Sequence, residues 1–248
     1  SNLSRNCIAI DIGGTKTLFG LISAEGEILA RQSISSNYPE NRQSVAVLTS
    51  GINTLLKGRV TGEKIAGIGI GVPGILDESG LIVGTPNTPG LEGINLSRML
   101  AEELGIPTFT DNDVNLAALG ESWVGSGVGM EDILFVAVGT GIGGGIIING
   151  SVYKGTGGAG EIGHCCVDPN GYECYCGNNG CLEAVASGRA IEVQYSKLSG
   201  EELPAYKIFE RAVQGDKLAM EIVEKSIYFL GLAIGNFINI FSPQSVVL

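Results

Sequence analysis

The chain has 248 residues, 44% hydrophobic and 17% charged, enough to bury a real core as one large domain or two modest ones. Its 39 glycines are scattered through apolar runs with no Gly-X-Y period and no Gly/Ser tract, which excludes collagen-like and linker-like chains. A net charge of −11, with 15 Lys and Arg and no basic cluster, excludes a nucleic-acid surface, so bound phosphate must be held by backbone amides or a metal.

Ser1 and Asn2, with no initiator Met, read as a cloning remnant. There is no basic-then-apolar leader and no segment reads as a membrane span, which predicts a cytoplasmic protein. Cys7 to Ile12 is an apolar run suited to a strand; after Gly13-Gly14-Thr15-Lys16, β character resumes over Thr17 to Ile22 and again over Glu27 to Ile34. Ser44 to Leu56 has helical spacing, Ile65 to Val72 is a strand ending in Pro73-Gly74, and Asn95 to Leu104 is a helix. Ile106 to Phe109 is a strand, and Asn112 to Val124 a helix.

Asp132 to Val138 is a strand, followed by Gly139-Thr140-Gly141-Ile142-Gly143-Gly144-Gly145 and a return to strand at Ile146 to Ile148. This repeats the opening: Gly14 to Gly139 and Gly20 to Gly145 share an offset of 125 residues (139 − 14 and 145 − 20), which predicts a duplicated lobe. Helical stretches follow at Glu183 to Leu198, Ala205 to Val213 and Leu218 to Phe241, the last apolar nearly all round and therefore expected to be buried. Ser245 to Leu248 starts a strand and stops, so a C-terminal portion is expected beyond it.

Gly139, Gly141 and Gly144 fit G-x-G-x-x-G, but β residues follow where a dinucleotide site needs a helix N-terminus. The same failure follows Gly14, which leaves ordinary tight hairpins or a phosphate clamp of bare backbone amides. Asp111 and Asp113 open a helix, where a carboxylate either caps the amides or does chemistry. Five of the six cysteines, Cys165, Cys166, Cys174, Cys176 and Cys181, crowd beside the single histidine, His164. Disulfides would be spread along a short secreted chain, so a metal site fits better. His164 with Cys174, Cys176 and Cys181 is a tetrahedral zinc ligand set, with Cys165 and Cys166 left as core or spectator thiols.

Four motifs carry a resemblance to one family. Asp11-Ile12-Gly13-Gly14-Thr15-Lys16 and Gly139 to Gly145 resemble the two phosphate motifs of the ROK family of sugar kinases and regulators, and Asn112-Asp113-Val114-Asn115 resembles its catalytic stretch. Cys174-Tyr175-Cys176-Gly177-Asn178-Asn179-Gly180-Cys181-Leu182-Glu183, preceded by Gly160-Glu161-Ile162-Gly163-His164, resembles its zinc signature. The resemblance spans residues 7 to 248 and implies an α/β fold of the actin-like ATPase (ribonuclease H-like) type, duplicated and two-lobed. Its lobes are expected at residues 3–110 and 111–248.

By the same resemblance the activity is phosphorylation of a hexose by Mg-ATP, glucose to glucose 6-phosphate, with N-acetylmannosamine, fructose or a non-catalytic sugar-sensing role as alternatives. Asp113 is implied as the base. Gly74, Asn87, Asn112, Asp113, Glu161, His164 and Glu183 are implied at the sugar, and Asp11, Gly13, Gly14, Thr15, Lys16, Gly139, Thr140, Gly141 and Gly143 at ATP. Asp11 would orient hydrated magnesium and Lys16 meet phosphate charge. The zinc, with four protein ligands, is expected to be structural. The family usually has Glu where this chain has Asp111. Its sugar-responsive repressors carry an N-terminal helix-turn-helix, for which the few residues before Cys7 are too short. A homodimer or homotetramer is implied, with no membrane or nucleic-acid partner. A chain without the family's last segment is expected to bind nucleotide poorly.

Overall fold

A computed structural model describes residues 6–39, 43–57, 65–85 and 87–248; Ser1, Asn2 and Pro86 lie outside the described residues. The chain divides into two compact units, one reaching to Ala117 and including Lys154–Gly158, the other Ala118–Tyr153 with Ala159–Leu248. Among the described residues no helix is long and apolar enough to cross a membrane.

The first unit contains β1 (Asn6–Ile12), β2 (Lys16–Ile22), β3 (Ile28–Ser35), helix α1 (Gln43–Leu56), β4 (Ile65–Val72), the short pair β5 (Ile75–Leu76) and β6 (Ile82–Gly84), α2 (Leu96–Leu104) and β7 (Thr108–Asn112). It also holds the first residues of α3 (Asp113–Val124). The five-stranded sheet runs β3-β2-β1-β4-β7, antiparallel through the opening hairpins and parallel from β1 to β4 to β7. Alternation decides which face is covered: Ile8, Ile10 and Ile12 of β1 point into a core with Ile68, Ile70 and Val72 of β4, while Cys7 and Asp11 point the other way. Phe19 is buried because Gly51 of α1 has no side chain; a Cβ there would strike its ring.

The parallel register is what places chemistry. Asp11 of β1 pairs with Gly71 of β4, and Gly71 and Val72 pair with Asp111 and Asn112 of β7. The strand expected at Ile106 to Phe109 thus runs later, Thr108–Asn112, because its ladder with β4 continues to Val72. Asp11 and the turn into α3 lie at the carboxyl ends of neighbouring parallel strands, the edge where open α/β sheets bind ligands.

The second unit has β8 (Ile133–Val138), β9 (Ile142–Ile148), β10 (Ser151–Val152), α4 (Leu182–Ala186), α5 (Gly188–Ser199), α6 (Ala205–Val213), α7 (Lys217–Phe241) and β11 (Ser245–Val247). Its sheet order, β10-β9-β8-β11, is antiparallel twice and then parallel, the same pattern as β3-β2-β1-β4. The duplication predicted from the glycine offset is therefore a duplication of topology.

Three expectations change. Strand resumes at Ile142 rather than Ile146, so Gly143, Gly144 and Gly145 are strand residues. The cause is close packing: a Cβ on Gly144 would lie 2.7 Å from Ile162 Cδ1 and 2.9 Å from the Gly160 carbonyl oxygen. The single helix expected over Glu183 to Leu198 breaks into α4 and α5 at Ser187, whose hydroxyl accepts from Ala190 N at 3.1 Å as an N-cap. Finally, α7 is not buried all round. Ala219, Ile222 and Val223 pack with α5 and α6, and Ala233 and Phe237 with α4 and the β8 and β9 strands, but Ile227 and Tyr228 are exposed.

Candidate active site

In the first unit the phosphate hairpin is a tight turn in which Gly13 N donates to Lys16 O at 3.0 Å. Side chains are excluded here: a Cβ on Gly13 would meet Lys16 O at 3.0 Å, and one on Gly14 would meet Asn87 Cβ at 3.2 Å. Asn87 thus abuts the hairpin, held in a loop whose Thr85 and Thr88 hydroxyls bond each other at 2.5 Å. Gly74 is required by space, since a Cβ would meet the Gly84 carbonyl oxygen and, at 3.0 Å, Thr85 Cβ. Thr15 and Lys16 are exposed. Asp11 is exposed as well, yet desolvation by the surrounding protein raises its pKa above 3.8.

The turn into α3 is capped by neither aspartate. Asn112 is the cap: its Oδ1 accepts from Val114 N at 2.9 Å and Asn115 N at 3.2 Å, and its Nδ2 donates to Gly74 O at 3.1 Å. Asp113, half-buried, is the first helical residue, with Oδ1 accepting from Val114 N at 2.9 Å. Asp111 holds the turn from the other side: Oδ1 accepts from Asn112 N at 2.8 Å and Asn115 Nδ2 at 3.2 Å, and Oδ2 pairs with Lys154 Nζ at 2.5 Å. Asn115 Oδ1 is buried without a partner among the described residues, a cost of about 1–3 kcal/mol that a bound donor would relieve. Sequence reading missed Lys154, and it placed Asn115 in the Asn112-Asp113-Val114-Asn115 stretch without giving it a role.

In the second unit, the ligand atoms of His164, Cys174, Cys176 and Cys181 all lie within 4.8 Å of one another. Cys174 Sγ is 3.6 Å from His164 Nδ1, and Cys176 Sγ is 3.6 Å from Cys181 Sγ. A tetrahedron with metal–sulfur bonds of about 2.3 Å has sulfur–sulfur edges of about 3.8 Å, so the cluster fits a closed four-ligand metal site. Burial and neighbouring sulfurs push Cys181 up to about 12 and burial raises Cys174, so without a cation these would be neutral thiols. Cys165 and Cys166 are exposed, so the core alternative for them does not hold.

With Nδ1 facing the sulfurs, His164 turns Nε2 away from them, 3.1 Å from Tyr175 Oη and 4.0 Å from Glu161 Oε2. Glu183 heads α4 two residues after Cys181, and its Oε2 accepts from Ile142 N at 2.7 Å. It also touches the second glycine loop, since a Cβ on Gly141 would strike its carboxylate. The loop is anchored from the other end, where Gly188 N, opening α5, donates to Gly139 O at 2.8 Å. Gly139, Thr140 and Gly141 form the turn, while Gly143 lies in β9. One cluster therefore fixes Glu161, His164 and Glu183 together, and Glu183 ties them to the glycine turn. Tyr175, between two cysteine ligands, was another residue that spacing alone could have flagged.

The family model described as the ROK family matches residues 7–248. The chain is 37% identical to a glucokinase of Thermotoga maritima over 97% of this chain and 80% of that protein. It is 36% identical to a putative xylose repressor of Caldicellulosiruptor over 97% of this chain and 64% of that one. The fold is similar to a ROK hexokinase of Thermus thermophilus, with TM-score 0.87, 32% identity and coverage of 97% and 80%. It is also similar to a ROK glucokinase of Streptomyces griseus in complex with glucose and AMPPNP, with TM-score 0.76, 30% identity and coverage of 97% and 81%. With the family model, the duplicated sheets and the cysteine cluster in agreement, this chain belongs to the ROK family and has its actin-like fold.

Proposed function

We propose that this chain is an ATP-dependent hexose kinase that phosphorylates glucose at its 6-hydroxyl. The observation that carries the reading is that His164 Nε2, turned from the sulfurs, lies 4.0 Å from Glu161 Oε2, with Glu183 two residues after the cluster's Cys181. Two carboxylate acceptors and one imidazole suit a ligand rich in hydroxyl groups. Relatives described as a glucokinase and a ROK hexokinase support the substrate class.

Asp113 is proposed as the base, with Asn112, Gly74 and Asn87 at the sugar from the first unit. The sugar oxygen attacks the γ-phosphorus, the bond to the β–γ bridging oxygen breaks, and the hydroxyl proton passes to Asp113. The products are the sugar 6-phosphate and ADP. Phosphoryl transfer through a loose transition state needs the hydroxyl positioned more than it needs a strong base, which suits a carboxylate at the head of a capped helix. Gly13, Gly14, Thr15, Lys16, Gly139, Thr140, Gly141 and Gly143 are proposed at the nucleotide. Magnesium carried with ATP would offset phosphate charge, with Asp11 orienting its hydration shell. The cysteine cluster would hold a zinc ion, whose four protein ligands make it structural. A cytoplasmic homo-oligomer completes the proposal.

Coverage of nearly the whole chain by a repressor relative supports one competing reading, a sugar sensor without turnover. A coupled ADP-release assay over glucose, N-acetylmannosamine and fructose decides between them. Turnover fastest with glucose is expected; sugar binding with no turnover would overturn the kinase reading.

A further inference from the structure

Tyr175 lies between two of the cluster's cysteines, so its backbone is held from both sides, yet the residue is 77% exposed. Its ring meets His164 only edge to face, with centroids 5.2 Å apart and planes at 84°. Swinging the ring out would sacrifice little packing. The hydroxyl end has a different environment, 3.1 Å from His164 Nε2 and close to the carboxylates of Glu183 and Glu161. A metal on Nδ1 leaves His164 with its proton on Nε2, a donor. A phenol, like an alcohol, accepts from such a donor while giving its own proton to a carboxylate. The tyrosine hydroxyl therefore holds the His164 Nε2 contact, beside the Glu183 carboxylate, that a hexose hydroxyl would make.

We propose that Tyr175 is a displaceable stand-in for a substrate hydroxyl: its phenol occupies His164 Nε2, and a hexose binds by displacing it. The proposal rests on the reading of Glu161, His164 and Glu183 as sugar ligands. Its consequence is quantitative. Only the fraction of molecules with Tyr175 swung out is competent, so the apparent dissociation constant for sugar is raised by the inverse of that fraction. A net hydrogen bond of about 1 kcal/mol corresponds to a factor of about 5. Because displacement is complete before phosphoryl transfer, Tyr175 sets affinity and leaves the chemical step alone.

Tyr175→Phe keeps the ring and removes the hydroxyl. Calorimetry with glucose should show binding about 5-fold tighter than wild type, and kinetics a KM lowered by a similar factor at unchanged kcat. Equal or weaker glucose binding in a variant that keeps its metal overturns the proposal, weaker binding marking the phenol as a sugar ligand. A crystal structure of the unsubstituted chain with glucose gives a second measurement. A sugar hydroxyl should lie within reach of His164 Nε2 with the phenol moved away, and a phenol still bonded there beside bound sugar overturns the proposal. If the wild-type chain takes up no hexose, the ligand reading of Glu161, His164 and Glu183 falls and the stand-in falls with it. Failure of the stand-in alone leaves wild-type binding intact.

Discussion

Asp113 and Asn112 are adjacent, and the geometry assigns them opposite consequences. In Asp113→Asn an amide oxygen can still accept from Val114 N, now at 2.9 Å, and the cap supplied by Asn112 is untouched. The negative charge lost at the helix N-terminus is worth about 0.3–1 kcal/mol. At roughly 2–4 °C per kcal/mol for a chain of this size, the melting temperature should fall by about 1–4 °C. Asn112→Ala instead strips the acceptor from Val114 N and Asn115 N and the donor to Gly74 O, a loss of about 2 kcal/mol and roughly 4–8 °C. Activity should separate the pair in the other direction. Removing a general base costs about 10²–10⁴ in kcat, so Asp113→Asn should lose at least about a hundredfold with sugar KM nearly unchanged. Calorimetric melts beside the coupled assay measure both. An Asp113→Asn enzyme within tenfold of wild-type kcat, or one melting as low as Asn112→Ala, would refute the assignment of base and cap.

Cys181→Ser replaces a fully buried sulfur with a poor soft-metal ligand. Metal content by atomic absorption should fall well below about one per chain and the melting temperature by more than about 5 °C, with hexose binding lost. Lys154→Met leaves Asp111, only 16% exposed, without its cation, and about 1 kcal/mol of positioning should appear as a drop of about fivefold in kcat/KM. High salt should reduce the wild-type advantage, because Lys154 is half in solvent. Asp11 gives a pH dependence. Its folded-state pKa lies above its unfolded value of 3.8, so stability is lost as pH rises through the window between the two. Asp11→Asn should therefore melt higher than wild type at pH 7 without nucleotide, and the difference should vanish below the unfolded pKa; a wild type as stable as the variant at neutral pH would contradict the desolvation.

The Cys/His cluster was legible because its thiols are close in sequence: Cys174, Cys176 and Cys181 fall within eight positions, and a turn of that length leaves few ways to arrange three sulfurs. The strand–glycine turn–strand units were legible for a similar local reason, since a bare turn between two apolar runs can hardly form anything but a hairpin. The expectation for α7 failed because apolar character sets what a helix can bury, while the neighbours present set what it does bury. The break at Ser187 was hidden because a serine followed by glycine interrupts a helix only when its amide has another acceptor, and that acceptor, Gly139 O, is 49 residues away (188 − 139).

The amino-acid sequence alone pointed to the family, the duplicated topology, the Cys/His cluster and the candidate base, all of which depend on residue types at short separations. Tertiary structure decided which side chains act on those groups: Asn112 rather than an aspartate as cap, Lys154 on Asp111, Glu183 on Ile142 N, and the Tyr175 hydroxyl on His164 Nε2. These contacts depend on directions and on gaps a few ångströms wide. Such gaps are set by parallel register and by missing Cβ atoms at Gly14, Gly74, Gly141 and Gly144, and become readable only when distant segments are packed.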